Sequence, residues 1–176
     1  MTEHRVQTSP SSEVPGANEF TASPLRNRVR VELEATPAEV WELIGDLSRL
    51  PEYSLGLDRV EAKQDSGGAC TEYVCHFKPQ DEEGGGIRHL SLIRWYERER
   101  GWASVDEEPN AFGLTDSLTL VTLERSDPSV VMTWSQYYDA PDLDMMKAHL
   151  DEALADIAEN LVARFGGRLT DRYVEE

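Results

Sequence analysis

Residues 142–165, DLDMMKAHLDEALADIAENLVARF, carry the long helical pattern around which the rest of the chain is organised. Leu143, Met146, Leu150, Leu154, Ile157, Leu161 and Phe165 recur at three- and four-residue spacings, so they share one stripe of a helical period, while Asp151, Glu152, Asp156 and Glu159 fall largely elsewhere. Pro141 precedes the run, Asp142 and Asp144 set negative charge at the positive end of the macrodipole, and Gly166-Gly167 supply a left-handed stop. At about 1.5 Å per residue the helix spans roughly 35 Å. A single apolar stripe of that length needs a broad partner surface, and the upstream chain offers one made of strands.

In Arg28–Glu34, RVRVELE, Val29, Val31 and Leu33 alternate with charges, as in a strand with one buried face. Thr36-Pro37-Ala38-Glu39 reads as a capping box with proline at the first helical position, opening a helix that turns Val40, Trp41, Ile44 and Leu47 inward. A second short helical turn, SRLPEYS, is broken by Pro51. The period then changes to two. Leu57–Lys63 and Ala69–Lys78 form a hairpin around DSGG, and Ile87–Arg98 follows the loop PQDEEGGG. Trp102–Glu107, Leu114–Glu124 and Val130–Tyr138 complete an antiparallel meander. The order predicts an α+β helix-grip fold, a seven-stranded curved sheet wrapped around the terminal helix with two short helices after the first strand. Residues 1–24, rich in Ser, Thr, Pro and Glu, read as a disordered tail, 25–170 as a single domain and 171–176 as a second tail.

The formal charge of -17, from 34 acidic against 17 basic residues, argues against a nucleic-acid groove and against an anionic membrane surface as partners. No apolar run approaches the ~20 residues of a membrane span, and the N-terminus has no signal-peptide core. Cys70 and Cys75 lie five apart in one predicted strand, on opposite faces and roughly 16 Å from each other. They cannot bridge, and two unpaired cysteines fit a reducing, cytoplasmic setting. His76 and His89 have no ligand-spaced Cys, His or carboxylate set around them, so no metal is expected. Gly84-Gly85-Gly86 lacks the Lys-Ser/Thr of a phosphate loop and reads as a loop tip, and neither a G-x-S-x-G nor a dinucleotide fingerprint occurs.

ATPAEVWELIGDLSRLPEYS resembles the opening of the START-like polyketide cyclase/dehydrase superfamily (SRPBCC), in which a strand leads to a capped helix bearing a tryptophan and then a Pro-Glu turn. The ending, VMTWSQYYDAPDLDMMKAHLDEALADIAENLVARF, is similar to the last strand and gripping helix of monodomain polyketide aromatase/cyclases of the tetracenomycin type. The likeness covers about Val29 to Phe165. It implies a cavity between sheet and helix that binds a hydrophobic polyketide-type or aromatic molecule, with aldol cyclisation or aromatisation as the associated reaction and no cofactor. A non-enzymatic carrier of a lipid or quinone is the alternative within the same superfamily. A monomer or homodimer fits either.

Carried over residue by residue, the resemblance makes Arg94 of HLSLIRW the cavity arginine, Trp134 and Gln136 a Trp-x-Gln on the last strand, Phe112 a phenylalanine after the preceding hairpin, and His149 a helix histidine. Leu57 stands where those enzymes carry a tyrosine and Ile157 where they carry an asparagine, while Tyr53 offers a phenol from the turn itself. Arg94, His149 and Tyr53 are the catalytic candidates: a guanidinium to hold an enolate, an imidazole as base and a phenol. Arg94 alternates with Leu90 and Leu92, and all three line the cavity if that face is the inner one; the other face carries Ile87, His89, Ser91, Ile93 and Trp95. His149 sits at the edge of the helix stripe, about 120° from its centre. Tyr73, Tyr137, Trp134 and Phe112, with Met146, Leu150 and Ile157 of the helix, complete the expected apolar lining.

Overall fold

In the computed structural model, which describes residues 14–79 and 86–176, the alternating stretches become antiparallel strands and the apolar stripe becomes a helix held against them. The elements in order are β1 (Leu25–Leu33), α1 (Pro37–Ile44), a 3-10 turn (Leu47–Glu52), β2 (Leu57–Gln64), β3 (Cys70–Phe77), β4 (Arg88–Glu97), β5 (Gly101–Asp106), β6 (Thr115–Ser126), β7 (Ser129–Asp139), α2 (Leu143–Phe165) and β8 (Gly167–Val174). The sheet runs β2-β3-β4-β5-β6-β7-β1-β8, so β1 is inserted beside the last strand of the meander. Both helices begin on side-chain caps: Thr36 Oγ1 accepts from Glu39 N at 3.2 Å and Asp142 Oδ1 from Met145 N at 3.1 Å. Leu154, Ile157, Ala158 and Leu161 of α2 share one apolar core with Val29, Val31, Trp102 and Trp134 of the sheet.

The helix-grip reading holds with one strand more than expected. Residues 171–176 were expected to trail away, yet β8 pairs with β1 from Leu33↔Gly167 to Asn27↔Val174. Gly166 (φ 79°) and Gly167 (φ 118°) reverse the chain directly off α2, and a Cβ on Gly167 would stand 1.9 Å from the Glu32 carbonyl oxygen. Gly166 is extended rather than left-handed helical, with ψ at 165°. The strand has no apolar face for a sequence pattern to reveal: Leu169 and Tyr173 are exposed, and the bonds beyond the ladder are polar, the ion pairs Arg28–Asp171 and Arg172–Asp151 and a hydrogen bond from Thr170 Oγ1 to the Arg30 carbonyl.

The expected N-terminal tail is also corrected where it is described. Val14, Ala17 and Phe20, around a 3-10 turn at Ala17–Glu19, cover Trp95, Ala103 and Leu118 on the convex side of the sheet. Asp116 pins this strap, accepting from Ala22 N at 2.9 Å and Ser23 Oγ at 3.2 Å, while its carbonyl accepts from Thr21 Oγ1 at 2.7 Å. Residues 1–13 and most of the triple-glycine loop lie outside the described residues.

Two register shifts decide which side chains meet the core. Between Ile93↔Ser104 and Trp95↔Ala103 the ladder skips Arg94, so His89, Ser91 and Ile93 face inward but Trp95 turns out and Tyr96 turns in. Tyr96 then donates from its hydroxyl to the Gly45 carbonyl at 2.7 Å, beside Trp102, whose Nε1 donates to the Ile44 carbonyl at 3.0 Å. Between Lys63↔Glu72 and Gln64↔Cys70 a second shift returns Cys70 to the core. Cys70 and Cys75 are therefore both buried in the same apolar cluster, not on opposite faces, and both are free. Burial pushes each thiol up to about 12, which leaves them unreactive at neutral pH.

Candidate functional site

The grip leaves a cavity of about 170 Å³ between α2 and the concave side of the sheet. Its sheet wall is aromatic: Tyr73 and Phe77 from β3, Trp102 from β5 and Trp134 from β7, with Phe112 from the β5–β6 connection. Trp102 stands edge-on to Trp134 (5.5 Å between centroids) and to Tyr73 (6.0 Å), which fixes the rings without help from a ligand. Met146, Leu150, Leu154 and Ile157 form the helix wall.

One end of this apolar space is polar. Asp106, at the end of β5, accepts from Ser91 Oγ at Oδ1 (2.8 Å) and from Asn110 Nδ2 at Oδ2 (3.0 Å). His89 Nε2 stands 3.3 Å from both Asp106 Oδ1 and Ser91 Oγ. Asn110 is held in turn by Phe112, whose backbone N–H donates to its Oδ1 at 2.7 Å. The His89 ring stacks on Phe77 (5.7 Å, 12°) and meets Phe112 edge-on at 6.0 Å. Elsewhere on the wall Thr119 Oγ1 donates to Gln136 Oε1 at 3.0 Å, and the Tyr73 hydroxyl is 2.7 Å from Ser104 Oγ. Burial holds the Tyr73 phenol well above its ordinary range, so it is neutral.

Most polar groups here are satisfied, which makes the exceptions informative. Tyr53 Oη, His89 Nδ1 and Trp134 Nε1 are buried and have no hydrogen-bond partner among the described residues. His89 and Trp134 belong to the cavity wall. Among the described residues no three His, Cys, Asp or Glu side chains gather as a metal set, and no helix is long and apolar enough to cross a membrane.

The sequence profile of one family, described as polyketide cyclase/dehydrase and lipid transport, matches residues 24–166. The chain belongs to that family. No curated protein matches the sequence. Solved structures show the same helix-grip, START-like fold at low identity. A START superfamily protein from Mycobacterium smegmatis is 13% identical over 81% of this chain and 97% of its own, with a TM-score of 0.66. The Zhui aromatase/cyclase from Streptomyces sp. R1128 is 15% identical over 80% and 93%, with a TM-score of 0.62. A major latex-like protein from Panax ginseng is 11% identical over 80% and 97%, at 0.60. These likenesses establish the fold and leave the chemistry to the residues.

In this member of the polyketide cyclase/dehydrase family, Tyr73, Phe112, Trp134, Gln136, Met146, His149, Leu150 and Ile157 do line the cavity. His149 does so from an exposed position at its rim. Arg94 does not: it is exposed on the bulge, on the opposite side of β4 from His89, Ser91 and Ile93. Leu90 lies on that outer side too, bordering a polar pocket with Glu61, Arg88 and Glu107, and Leu92 shares its face. Tyr53 is 1% exposed and packs behind Trp134 at 6.3 Å, in the core rather than on the cavity wall. Burial drives its phenol far above the usual range, which removes it as a proton donor. The polar group that the carry-over missed is His89, Ser91, Asp106 and Asn110. Its signal was present in the alternative face of β4, and in the alternation of Trp102, Ser104 and Asp106 along β5.

Proposed function

We propose that this protein binds a compact, largely aromatic molecule of the polyketide type inside the cavity between the sheet and α2. The observation that carries the reading is an aromatic-walled space lined by Trp134, whose buried indole N–H has no acceptor among the described residues. An unpaired buried donor costs about 1–3 kcal/mol, a penalty that a carbonyl or ether oxygen of a bound molecule relieves. Apolar ligand surface entering the same space adds roughly 25 cal/mol per Å² buried. A volume of about 170 Å³ suits a small fused or single-ring molecule, since a cavity of ~150 Å³ accepts benzene. Long acyl chains and tailed quinones need more room than that, which counts against the carrier alternative.

Aldol cyclisation or aromatisation of a poly-β-keto chain is the second reading. It draws on His149, Trp134 and Gln136 at the cavity and on the family relationship, and it loses support from the outward position of Arg94.

The test is native mass spectrometry of the purified protein together with tryptophan-fluorescence titration of small aromatic ligands, run on the wild type and on Ile157→Trp, which fills the cavity. One ligand per chain, quenching Trp102 and Trp134 and lost in the filled variant, is the expected result. Binding that is unchanged in Ile157→Trp overturns the reading.

A further inference from the structure

We propose that His89 and Asp106 together select ligands that carry a phenol or enol hydroxyl, with Ser91 and Asn110 holding the carboxylate in place. This rests on the cavity-binding reading and names the class of molecule the cavity takes. Asp106 is an acceptor fixed at both oxygens, by Ser91 at 2.8 Å and Asn110 at 3.0 Å. His89 turns Nε2 toward that carboxylate at 3.3 Å. A carboxylate accepts and does not donate, so the neutral ring keeps its proton on Nε2 and leaves a lone pair on Nδ1. No described residue donates to Nδ1, which is buried.

The missing partner is therefore a donor, and the surroundings restrict what can bring it. Phe77 stacks on one side of the ring and Phe112 stands edge-on to it, so the cavity side of His89 is walled by flat apolar rings. A hydroxyl on a flat unsaturated skeleton meets both conditions. A hydrocarbon, an ether or an ester has no proton to offer and leaves the lone pair unsatisfied.

The arrangement predicts how one substitution changes specificity. In Asp106→Asn, Asn110 Nδ2 still requires an acceptor at the Oδ2 position, which fixes the new carbonyl there and turns the new NH2 toward His89. Nε2 then becomes the acceptor, the ring proton moves to Nδ1, and the site asks for an acceptor instead of a donor.

The experiment is calorimetric titration of the full-length protein with 1-naphthol, 1-methoxynaphthalene and naphthalene, with thermal melts on every variant. Methoxynaphthalene is larger than naphthol and naphthalene is smaller, so size alone cannot imitate a hydroxyl preference. The wild type is expected to bind 1-naphthol roughly ten- to a hundredfold more tightly than either analogue. His89→Phe, close in shape, levels the three affinities, and Asp106→Asn moves the preference toward 1-methoxynaphthalene. Equal binding of the three probes by the wild type, or a naphthol preference that survives His89→Phe, overturns the selection while leaving cavity binding intact. Failure of all three to bind removes the cavity-binding reading and this inference with it.

Discussion

Asn160 Nδ2 donates to the Tyr53 carbonyl oxygen at 3.0 Å, so the C-terminal part of α2 is bonded to the turn that packs behind the cavity. The bond joins residues that are 107 apart in sequence. Replacing Asn160 with alanine removes it and leaves a carbonyl of the turn without its donor. Asn160→Ala is expected to lower stability by about 1 kcal/mol and the melting temperature by about 2–4 °C, read by calorimetry. No change in melting temperature would show that water replaces the bond at no cost.

Arg94, on its exposed bulge, is expected to be dispensable. Arg94→Met should change neither stability nor the affinity for 1-naphthol by more than about 0.5 kcal/mol. A tenfold loss of ligand affinity in this variant would bring the guanidinium back into the site.

Gly101 opens β5 with φ at 145°, and a Cβ there would stand 2.1 Å from the Val121 carbonyl oxygen. Because the obstacle is backbone, the β5–β6 ladder itself must move. Gly101→Ala is expected to destabilise by roughly 3 kcal/mol in urea unfolding and to loosen Trp102, the neighbouring cavity residue. A variant as stable as the parent would mean that the ladder yields freely.

Glu52 couples the 3-10 turn to α2 through ion pairs with Arg49 at 2.6 Å and Arg164 at 2.9 Å. The hydrogen bond from Arg49, helped by Arg164, lowers its carboxyl from the ordinary 4.5 to about 2. A depressed carboxylate stabilises the fold above its unfolded value and loses that contribution as it is protonated, so the loss falls between pH 4.5 and about 2. The pair is solvent-exposed and screened, which limits the effect to about 0.5–1 kcal/mol. Urea denaturation across that window should show a shallower fall in stability for Glu52→Gln than for the wild type; parallel curves would exclude the coupling.

Periodicity alone was enough to place the gripping helix, the first strand, the six strands of the hairpin and meander, and the capped α1, because each has one apolar face and the spacing of that face reports the local geometry. Thr36, Asp142 and the glycines after Phe165 mark their ends for equally local reasons. Family resemblance then carried Trp134, Gln136, Phe112 and His149 to the cavity wall, the first two on a stretch of β7 with uninterrupted register.

What the tertiary structure alone decided begins at Arg94. HLSLIRWYE alternates evenly and so offers two faces, and only the packed sheet puts His89, Ser91 and Ile93 inside with Leu90, Leu92 and Arg94 on the outer side; the residue skipped at Arg94 then reverses the facing of Trp95 and Tyr96. The convex-side strap and β8 were hidden for a related reason: Phe20 is a lone aromatic in polar sequence, and β8 is held by ladder bonds and ion pairs that leave no hydrophobic pattern. The His89–Asp106 pair depends on the pairing of two strands across a turn, and its chemistry exists only once Ser91↔Asp106 stand opposite each other in the sheet. Local spacing determines which elements form; the register between them determines which side chains share a cavity.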